Sequence, residues 1–151
     1  MMQLQGTKHV VAVGPISSTA AGTITSTSID TVGYDELQLV FTKTTHATDA
    51  IATLTIQHAD SDSATNYGTI TGYVVGTDYT ASSLSGGTNA ASEKAAAVFN
   101  IDLRGKKRFF RCLLVNGSVT GILGVTGTLA RGVAAPISAT NINASVVVNP
   151  S

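Results

Sequence analysis

Apolar residues recur at every second position along most of the chain, the period of a strand with one face buried. In LQLVFTKT, Leu37, Leu39 and Phe41 point one way, and Gln38, Val40 and Thr42 the other. In ATLTIQHA, Leu54 and Ile56 alternate with Thr53, Thr55 and Gln57. AVFNIDL repeats the pattern, setting Phe99, Ile101 and Leu103 toward a core against Asn100 and Asp102. In RFFRCLLV, Phe110, Cys112 and Leu114 oppose Phe109, Arg111 and Leu113. That strand is apolar on both faces, so something other than water must cover the second one. HVVAV, TITSTSIDTV and TGYVVG add further candidate strands.

Turn signals separate these runs. RGKK (104–107) places a glycine between two strands, and VNGS (115–118) contains the Asn-Gly pair favoured in tight hairpins. Both are expected to be hairpins, joining three consecutive antiparallel strands. The third of these is glycine-rich, and Gly121, Gly124 and Gly127 suggest bulges or close backbone approach. Many short strands rich in Thr and Val point to an all-β antiparallel sandwich or barrel. TNAASEKAAAVF (88–99) has helix-forming residues but no apolar stripe, and 77–94 is read as a long loop. The last twenty residues are uncharged, with Pro136 and Pro150 bracketing Val146, Val147 and Val148. Such a segment is either disordered or an arm lying on a neighbouring subunit, and the arm is favoured because an exposed run of that kind invites aggregation. The organisation expected is an N-terminal arm and first strand at 1–22, a β-sandwich at 23–131 and a C-terminal arm at 132–151.

Composition sharpens this picture. A chain of 151 residues suits one domain, which at that size buries about two-thirds of its unfolded surface. Only 12% of residues are charged, about half the usual fraction, so the polar surface is mostly hydroxyl and backbone. Net charge is zero, which argues against general attraction to nucleic acid or to an anionic membrane. Weak repulsion between copies suits a component that assembles. Cys112 is the single cysteine, which excludes an intrachain disulfide. The N-terminal stretch has no basic leader before an apolar segment, and no run approaches the roughly 20 apolar residues of a membrane span, so a soluble protein made in the cytosol of the cell that expresses it is expected.

The search for catalytic chemistry finds no constellation. His9, His46 and His58 are scattered without metal-ligand spacing. Asp60 and Asp62 resemble the start of a calcium loop, but no glycine stands at the sixth position and no glutamate closes it, so a turn held by Asp and Ser side chains is expected. No Gly-x-Ser-x-Gly elbow houses a serine, and Cys112 sits within a strand as a small buried hydrophobe. GILGVTG lacks the features of a phosphate loop. Asn116-Gly-Ser and Asn143-Ala-Ser match a glycosylation pattern by coincidence of composition. The expectation is a protein that is not an enzyme and carries no cofactor and no metal.

The most distinctive stretch is basic. Five of the nine basic residues, Arg104, Lys106, Lys107, Arg108 and Arg111, lie between positions 100 and 115. An anion site is one reading and contact with an acidic protein partner the other. Phe109 and Phe110 alternate faces, so at most one could stack on a base, which favours a protein partner over nucleic acid.

The succession DTVGYDELQLVFTK, ATLTIQHADSDSATNYGTITGY and VFNIDLRGKKRFFRCLL resembles small structural proteins from the head modules of tailed bacteriophages. The likeness spans roughly 23 to 131, and rests on Gly33 and Tyr34, Gln57 to Ser61, and Asp102 to Gly105. Those proteins look like jelly-roll or related β-sandwich decoration proteins, also called cement proteins, of the capsid. The resemblance implies a virion protein on the outer capsid surface that bridges neighbouring major capsid protein subunits. It also implies sister copies arranged as dimers or trimers, with Arg104, Lys106, Lys107, Arg108, Val146, Val147 and Val148 as partner contacts. The alternative expectation is a receptor- or glycan-binding module of a head or tail fibre, using Tyr67, Tyr73 and Tyr79 around Asp78.

Overall fold

A computed structural model describes residues 6–19, 21–43, 51–79, 96–117, 121–131 and 146–148. Among these the strands are β1 (Thr7–Ser18), β2 (Thr23–Thr25), β3 (Ile29–Asp30), β4 (Glu36–Lys43), β5 (Thr53–Ala59), β6 (Gly68–Val74), β7 (Ala96–Asp102), β8 (Phe109–Val115), β9 (Gly121–Ala130) and β10 (Val146–Val148). One sheet runs β1-β9-β4-β7-β10, and the other runs β2-β8-β5-β6 with β3 also on β8. All pairings are antiparallel except that of β10 with β7. β1-β9-β4-β7 facing β2-β8-β5-β6 is a jelly-roll-like order, the all-β antiparallel sandwich that the alternation led us to expect.

The inner faces are those expected from the pattern. Leu37, Leu39 and Phe41 on β4, Phe99 and Ile101 on β7, Leu54 and Ile56 on β5, and Phe110, Cys112 and Leu114 on β8 are all buried in one cluster. Cys112 is a core residue, and burial pushes its thiol up to about 12. Its backbone N–H donates to Ser26 Oγ at 2.8 Å, tying β8 to the link between β2 and β3. The outer face of β8 is covered in part: the Arg108 guanidinium lies 4.8 Å from the centre of the Phe109 ring. Gly127 faces inward on β9, where an added Cβ would come within 2.8 Å of Val10 Cγ2 and 3.0 Å of Leu39 Cδ2. Close packing against this backbone is why a glycine stands there.

The turns depart from expectation. β7 and β8 belong to opposite sheets, as do β8 and β9, so neither RGKK nor VNGS closes a hairpin. RGKK is a tight crossing between layers, with Gly105 at φ 74 and the Lys106 N–H donating to the Leu103 carbonyl at 3.0 Å. Asn116 is buried, and its side-chain amide donates to the carbonyls of Ser18 and Thr19, both at 3.3 Å. It bolts the end of β8 to the chain leaving β1 instead of turning it back. The bulges expected near Gly121, Gly124 and Gly127 fall on the partner strand, where the β1 register shifts between Val11 and Val13 and between Val13 and Ile16.

The first strand expected within 1–22 is β1, and the segment set apart as a C-terminal arm also contributes a strand to the sandwich. β1 forms one edge of the first sheet. Val146–Val148 lies parallel to Ala97, Val98 and Phe99 at the other edge. Val148 is buried in this chain's own core, so the reading of that residue as a contact with a neighbour gives way to an internal one. The rest of the C-terminal segment, most of the 77–94 loop, most of the 88–99 stretch and His46 lie outside the described residues.

Candidate partner-binding surface

The crossing from β7 to β8 gathers the basic stretch at one end of the sandwich, with the start of β4 and the end of β5. β7, β3 and the turn after β5 supply carboxylates to it. Arg104 donates to both oxygens of Asp102, from Nε at 2.9 and 3.1 Å and from Nη2 at 2.7 Å. Arg108 holds Asp30 in the same forked manner, at 2.8 and 2.6 Å. Lys107 Nζ lies 3.1 Å from Asp60. Arg111 donates to Gln57 Oε1 at 2.8 Å and lies 4.0 Å from the centre of the Tyr67 ring. Lys106 makes no ion pair among the described residues. The sequence suggested a surplus of positive charge here, but the fold answers Lys107 and Arg108 with carboxylates remote in sequence, and Arg104 with the neighbouring Asp102. These pairs are exposed and contribute little to stability. Their effect is to hold four long side chains in fixed positions.

The pairs leave a mark on titration. Hydrogen bonds from Arg108 hold Asp30 down at about 2, and those from Arg104 do the same for Asp102. His58 accepts the Lys107 backbone N–H at Nδ1, 3.3 Å away, and meets Phe110 edge-on with ring centres 6.0 Å apart. Burial lowers its affinity for a proton, and Lys107 and Lys106 lower it further against the opposing pull of Asp60. All three groups bind protons less readily folded than unfolded. Their contribution is therefore complete above the unfolded value and lost as pH falls. Stability to denaturant is expected to be level near neutrality and to fall first below about 6.5, the ordinary value for His58, then again between 3.8 and about 2 as the aspartates protonate. His58→Gln should remove the upper step and spare the lower. A rise in stability on acidification through either window would contradict these assignments.

The turn after β5 is held by side chains, as expected of Asp60 to Ser63. Asn66 Nδ2 donates to Ser61 Oγ at 2.6 Å, and the Tyr67 hydroxyl contacts Asp62 at 2.8 Å and Ser28 at 3.0 Å. Among the described residues no three His, Cys, Asp or Glu side chains gather as a metal site. The tyrosines of the glycan reading do not form a surface cluster. Tyr73 is buried with its hydroxyl donating to the Asn100 carbonyl at 2.8 Å, and burial raises it to about 12. Tyr79 packs against Phe99 and donates to the Leu54 carbonyl. Asp78 accepts the Val74 N–H at 2.8 Å and closes the turn after β6. Only Tyr67 stays near the surface, and Arg111 occupies one side of its ring.

Sequence reasoning missed the other broad surface, the outer face of the first sheet. Gln38, Val40 and Thr42 on β4 stand in register with Thr128, Thr126 and Gly124 on β9. Its polar groups satisfy one another: Gln38 Nε2 donates to Asn100 Oδ1 at 2.9 Å, and His9 Nδ1 pairs with Thr128 Oγ1 at 3.0 Å. Glu36 and Asp102 share a register position at its charged end. The alternation of polar residues on β4 was the available signal, but without strand order it could not show that neutral residues from neighbouring strands line up. No family model, curated protein or solved structure matches the chain.

Proposed function

We propose that the chain is a virion structural protein of a tailed bacteriophage, which decorates the outer capsid surface and stabilises it by bridging neighbouring major capsid protein subunits. The observation that carries this reading is the jelly-roll-like strand order, an architecture used by viral shell domains, combined here with a set of prearranged charges at one end. A fold alone does not assign a role. The charged end adds the means of docking: forked Asp–Arg pairs fix the guanidinium groups, so little side-chain freedom is lost when a charged surface meets them. Lys106, which has no ion pair among the described residues, is the natural first contact for an acidic patch on the shell. Many copies, each adding an interface of ordinary size, stiffen a shell cumulatively.

The test is binding of the purified chain to particles that lack it. Saturable binding in proportion to capsid subunits is expected. The pair Lys106→Glu and Lys107→Glu should weaken it by about tenfold or more at low salt, with the difference shrinking as salt rises. Absence of binding would remove the capsid reading, and binding indifferent to both charge reversal and salt would remove the charged end as the docking site.

A further inference from the structure

We propose that Val32 is the apolar anchor of the charged end, a fixed knob that fits a shallow apolar socket rimmed by carboxylates on a partner protein. This rests on the reading of that end as a docking surface and adds the residue that sets its fit. Val32 stands at the tip of the turn between β3 and β4, with 63% of its surface exposed. The Tyr34 N–H donates to the Thr31 carbonyl at 3.1 Å and closes the turn. Gly33, at φ 83, takes the third position, where a positive φ favours glycine. Local preference does not place a valine beside it. Turn corners favour Gly, Pro, Asn, Asp and Ser, whereas valine is a strand former whose branched side chain gains by packing. Val32 follows neither rule, and such departures concentrate at functional sites.

A single exposed valine is ordinary on a protein surface. What sets Val32 apart is how firmly the backbone beneath it is held. The Thr31 N–H and Oγ1 both donate to the Arg108 carbonyl, at 3.1 and 2.6 Å. The Val32 N–H donates to Asp30 Oδ1 at 3.1 Å, and Asp30 is the carboxylate gripped by the Arg108 guanidinium. The Gly33 carbonyl accepts Arg131 Nε at 2.8 Å. Just beyond, the Asp35 N–H donates to the Ala130 carbonyl at 3.0 Å, and the Asp35 carbonyl accepts the Leu103 N–H at 2.9 Å. A knob held in this way loses little freedom when it docks.

The charges around the knob select its occupant. Lys8, Lys106 and Arg131 are exposed and form no ion pair among the described residues. Arg131 grips Gly33 through Nε while its guanidinium lies 5.7 Å from the centre of the Tyr34 ring, which fixes a cation beside Val32. Lys8 lies near enough to Asp30 for its charge to act there. Asp35 and Glu36, the carboxylates that follow the turn, act on Arg104. A surface complementary to Val32 and these cations carries carboxylates around an apolar hollow.

Binding of the full chain to particles that lack it, measured across a range of salt, tests this. Val32→Ser should melt with the wild type, since its side chain is mostly exposed, yet bind about tenfold more weakly. That deficit should persist at high salt, because lost apolar burial is not screened. Arg131→Gln should weaken binding at low salt and approach the wild type as salt rises. Val11→Ser removes a valine 65% exposed on the outer face of β1 and should leave binding unchanged. Wild-type binding with Val32→Ser unimpaired overturns the proposal and leaves the docking role of the charged end standing. So does an equal loss in Val11→Ser, or a Val32→Ser deficit that vanishes at high salt. A wild-type chain that does not bind overturns both.

Discussion

Phe110→Ala is expected to destabilise the chain by about 3–5 kcal/mol, the range for removing a large aromatic side chain from a packed core. Phe110 is fully buried at the start of β8. Its strand pairs with β5 on one side, and with β2 and β3 on the other. Directly opposite Phe110 are His58 on β5 and Ile29 on β3, so truncation opens a void against strands from three parts of the chain. Small domains are stable by only about 5–15 kcal/mol, so the loss should remove a large share of the total. Denaturant unfolding should show a lower midpoint with an unchanged slope. A loss under about 1 kcal/mol would mean that the two sheets do not pack at Phe110 as described.

Gly127→Val should cost about 1–3 kcal/mol or more by overpacking. The added Cβ alone would stand 2.8 Å from Val10 Cγ2 and 3.0 Å from Leu39 Cδ2. Val10 is β-branched and stiff at its first torsion, so it cannot swing aside freely. Relief would require β1 to move away from β9, where the register already shifts twice. Gly68→Val is the control, since nothing lies within 4 Å of a Cβ built there. Equal melting temperatures for the two variants would contradict the close approach at Gly127.

Both positions show what could be read from the chain beforehand. Leu37, Leu39 and Phe41, and likewise Phe110, Cys112 and Leu114, declare their buried face by alternation, because a strand has no other way to keep one side dry. Gly127 could be marked as a close approach, although not against which strand. The same local rules are silent on which sheet a strand joins. RGKK and VNGS have the chemistry of tight turns whether the chain reverses within a layer or crosses between layers, and here it crosses. Val146 to Val148 read as an arm, because an apolar run does not say which edge it lies on, and it was β7 that supplied the matching edge. The charged end was legible only by half. The basic residues cluster in one short stretch, but Arg108 and its partner Asp30 are 78 residues apart, and only the fold brings them to 2.6 Å. Tyr73 and Tyr79 looked available for sugar stacking until backbone carbonyls inside the sandwich accepted their hydroxyls.

The most direct measurement of the proposed role is the copy number of this chain per particle, by quantitative mass spectrometry of density-banded virions against the major capsid protein. A copy number comparable to that of the capsid protein is expected of a decoration protein. A handful of copies per particle, or none, would contradict it.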